Sequence, residues 1–121
     1  MSDGIVIDEK TVVFAYRRGV FIMLPPFELR LKVSGYPPVR VDEENLGEIL
    51  REGEALPKAV IVFAFGDTYV DLVSSLVEEF PLLHVIYWYI PWIDSAPPKD
   101  VRVHLFNSMS PRELVAILEE C

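Results

Sequence analysis

Several acids could do chemistry if the fold gathered them: Asp8, Glu44, Glu48, Asp67 and Asp71. Hard divalent ions such as Mg2+ or Mn2+ take oxygen ligands, and several carboxylates around an ion pair support in-line phosphoryl transfer. Such a site would make the chain a phosphodiester-cleaving enzyme, with Asp8, Glu48 and Asp67 as catalytic candidates and Asp8 and Asp67 as metal ligands. Nineteen acids in 121 residues also produce such spacings by chance, and Asp8-Glu9-Lys10 reads equally well as a turn.

Gly66-Asp67-Thr68 is the second candidate. It follows an apolar run and opens a helical pattern, the place where open α/β sheets bind ligands and where free N–H groups attract anions. A single glycine does not make a phosphate cradle, and Asp67 or Thr68 could simply cap the helix. Asn107 and Ser108 fall at a comparable strand end, so Gly66, Asp67, Thr68, Asn107 and Ser108 could line one polar cleft. The aromatic stretch Tyr87-Trp88-Tyr89 with Trp92 is third. Trp88 should face one side of a sheet and both tyrosines the other, as core. Trp92 follows Pro91 in a loop and suits an interface or a pocket lip.

His84 sits in an apolar run as a hydrogen-bonded core residue, and His104 falls on the polar side of its run. Cys121 has no base beside it in sequence. One cysteine and two histidines are too few for a four-ligand structural zinc site and allow no intrachain disulfide.

These side chains need elements to position them. Ile5–Ile7, Thr11–Tyr16, Val20–Leu24 and Phe27–Val33 are short β-branched or aromatic runs separated by Asp8-Glu9-Lys10, Arg17-Arg18-Gly19 and Pro25-Pro26. The last alternates Phe27, Leu29, Leu31 and Val33 against Glu28, Arg30 and Lys32. Period-two alternation predicts one wet face, hence an N-terminal antiparallel meander.

Asp42 caps a short helix ending near Gly53, with Leu46, Ile49 and Leu50 inward and Glu48, Arg51 and Glu52 outward. Ala59–Phe65 and Leu82–Ile90 are continuous apolar runs, as in strands buried on both faces. A helix over Thr68–Glu79 joins them into a parallel βαβ unit. Val101–Phe106 is a further strand. Ser110, Pro111 and Glu113 then open a closing helix as cap, first-turn proline and capping-box partner, with Leu114, Val115, Ile117 and Leu118 inward. The whole predicts a single α/β domain over 1–121 with a mixed sheet, an element order approaching that of the ribonuclease-H-like architecture.

A hydrophobic fraction of 51% and mean hydropathy of +0.29 exclude intrinsic disorder and suit a buried oligomer surface. The net charge of −8 disfavours duplex nucleic acid. Residues 1–33 nevertheless hold five basic and four acidic side chains, a local patch containing Arg17, Arg18, Arg30 and Lys32. The longest uncharged run, Phe80 to Ile93, spans fourteen residues, short of the roughly twenty a membrane helix needs. Residues 1–20 carry Asp3, Asp8 and Glu9 and no signal-like apolar core, so a cytoplasmic protein is expected. Absent glutamine, two asparagines and ten prolines follow a thermophilic tendency.

The leading functional expectation is therefore a non-catalytic domain that self-associates or serves as a subunit beside a protein partner, with no cofactor. The alternatives are the Mg- or Mn-dependent phosphodiester-cleaving enzyme and a sensor of small anionic ligands at the strand-end cleft.

Overall fold

The computed structural model describes residues 7–16, 24–53, 55–64, 69–89, 100–106 and 110–121. Among the described residues, five strands carry the fold: β1 (Val12–Tyr16), β2 (Pro38–Asp42), β3 (Ala59–Ala64), β4 (Val85–Tyr89) and β5 (Val103–Phe106). Four helices accompany them there: α1 (Leu24–Val33), α2 (Leu46–Glu52), α3 (Tyr69–Glu79) and α4 (Pro111–Glu120). All strand pairs are parallel, in the order β2-β1-β3-β4-β5.

Parallel sheets need both faces covered, so their strands are apolar throughout rather than alternating. Here Val13, Ala15, Val60, Val62, Val85 and Tyr87 pack on one face against Leu46 and Leu50 of α2 and Val73, Leu76 and Val77 of α3. Val12, Phe14, Ile61, Phe63, Ile86, Trp88 and Phe106 pack on the other face against Leu24, Phe27 and Leu31 of α1 and Leu114, Val115 and Leu118 of α4. Aromatic rings fill the centre of that second layer. Phe27 meets Trp88 edge-on at 4.6 Å, and Trp88 lies 5.0 Å from both Phe63 and Phe106. The helix layer changes face between α1 and α2, as right-handed crossovers require when the chain first moves from β1 to β2 and then back past β1 to β3.

The parallel sheet overturns the antiparallel meander and the mixed sheet, while the α/β class stands. Phe27–Val33 is not a strand. Leu24, Phe27 and Leu31 recur at helical spacing and are buried, whereas Leu29 and Val33 are 64% and 74% exposed. Pro25 and Pro26 fall in the first turn of α1, where the amide hydrogens have no partner inside the helix, so the ring costs nothing there. Ile7 lies outside any strand, and Leu24 opens a helix. Ile5, Val6 and residues 20–23 lie outside the described residues. Pro38 opens β2, an edge strand, where a missing donor is tolerated.

The second half keeps its expected elements with shorter bounds. Pro81-Leu82 is a turn with Leu82 largely exposed, and Leu83 N donates to the Phe80 carbonyl at 3.0 Å. Val101 is likewise an exposed turn residue before β5. The N-cap of α2 is Asn45 rather than Asp42, whose Oδ1 instead accepts from Glu44 N at 3.0 Å. Ser110 and Pro111 do open α4, with an extended Ser110 backbone but no side-chain cap bond. None of the described helices is long and apolar enough to cross a membrane.

Candidate functional site

The strand order reverses between β1 and β3: the chain leaves β1 toward β2 on one side, then returns to β3 on the other. In doubly wound sheets, the carboxyl side of such a reversal in strand order is where ligands are held. Arg17-Arg18-Gly19 follows β1, Phe65-Gly66-Asp67-Thr68 follows β3, and Asn107-Ser108-Met109 follows β5. Gly66, Asp67, Thr68, Asn107 and Ser108 lie outside the described residues, as does Trp92. The strands that launch their segments share one parallel direction, so these segments leave from one end of the sheet.

The carboxylate candidates are placed differently. Asp8 precedes β1 at the amino end of the sheet, opposite the carboxyl end from which Asp67 follows β3. Its Oδ1 accepts from Lys10 N at 2.8 Å, Thr11 N at 3.0 Å and the Thr11 hydroxyl at 3.1 Å. The Lys10 amide and the Thr11 hydroxyl, in that order, hold this carboxyl below its ordinary value. Asp8 thus closes the turn into β1, with its Oδ1 engaged in three hydrogen bonds. Glu48 lies exposed in the first turn of α2, Glu44 exposed just before that helix, and Asp71 exposed in the first turn of α3. Tyr87 and Trp88 are buried in the core on opposite faces of the sheet, as expected.

The amino end of the sheet gathers a group that sequence spacing does not reveal. His84 immediately precedes β4, and its carbonyl accepts from Val60 N at 3.0 Å. His104 is the second residue of β5, in register with Ile86. Both rings fall on the α1/α4 face, so His104 is not on a solvent side and His84 is not inside a strand. His84 Nδ1 and His104 Nε2 lie 3.0 Å apart, with the rings 25° from parallel.

Cys121, directly after α4, completes the group. A ten-residue helix runs about 15 Å, about the length of a five-residue strand, so α4 brings its far end back to the amino end of β4 and β5. Lys58 Nζ donates to the Cys121 carbonyl at 3.0 Å. Burial above all, then His104, Lys58 and Arg102, pushes the His84 imidazole down from its ordinary value. Burial also raises the Cys121 thiol, outweighing the lowering effect of Lys58.

Arg102 anchors the neighbouring turn. It donates to the Phe80 carbonyl at 2.8 Å, the Val77 carbonyl at 3.0 Å and Asp100 Oδ2 at 2.9 Å. These bonds tie the carboxyl end of α3 to the start of β5. No protein-family model, curated protein or solved structure matches this chain.

Proposed function

We propose that this domain binds a small anionic ligand, of the nucleotide or phosphorylated-metabolite class, at the carboxyl end of its sheet. The strand order β2-β1-β3-β4-β5 is the observation that carries this reading, because it sets a topological switch point between β1 and β3. The strand order supports the location, and the ligand class is read from the residues that follow the strands in sequence. Arg17 and Arg18 offer fixed positive charge and bidentate donors to a phosphate. Gly66, Thr68, Asn107 and Ser108 offer backbone and side-chain donors. Asp67 suits a ligand bound with a divalent cation, which cancels its repulsion of phosphate.

Thermal unfolding tests this with a panel of inorganic phosphate and nucleoside mono-, di- and triphosphates, each with and without Mg2+. A ligand at about a hundred times its Kd stabilises by about 2.7 kcal/mol, which raises Tm by roughly 8–14 °C for a domain of this size. Arg17→Ala/Arg18→Ala should abolish that rise. If the whole panel leaves Tm unchanged, the proposal fails.

A second reading, self-association, draws on a different surface. Leu29 and Val33 stand one turn apart on α1, largely exposed, beside a shallow groove of about 560 Å³ that Pro26, Pro111 and Arg112 also line. Large apolar side chains grouped this way are the kind of surface that a second copy covers.

A further inference from the structure

We propose that His84, His104 and Cys121 form a binding site for a transition-metal ion of the zinc type at the amino end of the sheet. The site is independent of the anion-binding reading, at the opposite end of the strands.

The geometry is that of converging donors. One ligating atom from each of the three residues lies within 4.8 Å of the other two, and the two imidazole nitrogens already stand 3.0 Å apart. A tetrahedral ion with metal–nitrogen bonds of about 2.0–2.1 Å and a metal–sulfur bond of about 2.3 Å spaces its ligands about 3.3 Å (N···N) and 3.6 Å (N···S) apart. Reaching those spacings takes a slight opening of the histidine pair and an inward turn of the thiol by about an ångström, movements within side-chain rotation. The backbone needs no rearrangement, because each ligand comes from a different, rigidly placed element. His84 is fixed by β3–β4 pairing, His104 by β4–β5 pairing, and Cys121 by the packed end of α4.

The donor set decides the class of ion. Two imidazoles and a thiolate are borderline-to-soft ligands that suit Zn2+, Co2+ or copper, whereas Mg2+, Ca2+ and Mn2+ prefer carboxylate and water oxygens. The His84 and His104 rings face each other nitrogen to nitrogen at 3.0 Å, so one donates and the other accepts according to tautomer. When an ion enters between the rings, the donating imidazole takes the tautomer that carries its proton on the other ring nitrogen, and the thiol proton of Cys121 leaves for solvent.

All three residues are half-buried, leaving a route for the ion to arrive. Among the described residues no fourth histidine, cysteine or acid joins the group. Three protein ligands with the fourth position open is the arrangement of a site that admits water or an exogenous ligand, not of a closed structural site.

Cobalt titration of the chelator-treated full chain, carrying no histidine tag, tests the proposal. Binding at one ion per chain with a thiolate-to-cobalt charge-transfer band in the near ultraviolet is the expected result, with Zn2+ displacing the cobalt. Cys121→Ser should remove the band. His104→Gln should weaken binding by more than the roughly 10–100-fold that loss of an outer-shell partner costs. Circular dichroism of both variants should match the parent, since neither side chain is core. Absence of the band in the folded parent, or its survival in Cys121→Ser, overturns the assignment.

Discussion

Leu31 and Leu29 are the same residue type two positions apart, and they separate a helix from a strand. In a strand they would share a face and matter alike. In α1, Leu31 is 0% exposed against Phe27 and the sheet, and Leu29 is 64% exposed. Truncating Leu31 to Ala removes three carbons, worth about 2.4 kcal/mol at roughly 0.8 kcal/mol per buried methylene. The cavity left behind raises the cost to about 3–4 kcal/mol. At Leu29 only about a third of the side chain is covered, so about 0.8 kcal/mol is lost, and the better helix propensity of Ala returns a few tenths of it. Urea unfolding followed by tryptophan fluorescence should show Leu31→Ala at about 3–4 kcal/mol and Leu29→Ala near 0.5 kcal/mol. In thermal scans the former should lose roughly 10–15 °C. Equal losses at the two positions would refute the helix and with it the parallel sheet.

Two further outcomes are expected. Leu29→Lys/Val33→Lys should leave Tm nearly unchanged, and any dimer seen by light scattering at high concentration should revert to monomer; a dimer that persists in this variant excludes the α1 surface as its interface. Asp100 is held below its ordinary 3.8, first by the Arg102 side chain and then by the Arg102 backbone amide. Folding therefore favours its ionised form. That contribution is complete above the unfolded pKa and is lost as pH falls through the folded one, from about pH 4 downward. Asp100→Asn should flatten the acid limb of the stability profile measured by urea midpoints. An unchanged limb would show that the Asp100–Arg102 pair does not sense pH.

The interior strands and the closing helix were legible because each rests on a signal with one solution. Ala59–Phe65 is too apolar to be wet on either side, and Ser110-Pro111 preceding an amphipathic stripe opens a helix. Phe27–Val33 has two solutions. Phe27 and Leu31 are four apart, so they share a face in a helix and in a strand alike. Only Leu24, which precedes a proline pair that suits a strand end as well as a first helical turn, tips the balance. β2 was hidden because Pro38, Arg40 and Asp42 dilute it to two valines, which an edge strand permits.

The candidate anion site could be placed from strand ends alone. The metal group could not: twenty residues separate His84 from His104, and only the parallel β4–β5 register makes them neighbours. One cysteine and two histidines are too few for a closed four-ligand site of these donors but enough for a three-ligand one.

The first of the described strands, β1, occupies an inner position of the sheet, and the later ones extend outward from it. β2 lands on one flank of β1 and β3 on the other, then β4 on β3 and β5 on β4. Every strand after the first thus finds its neighbour already synthesised, so a chain emerging from the ribosome can dock each new βα piece onto a finished edge. The histidine pair forms only once β5 has joined β4, and Cys121 lies further along the chain still, so the proposed metal group needs both β5 and α4 in place.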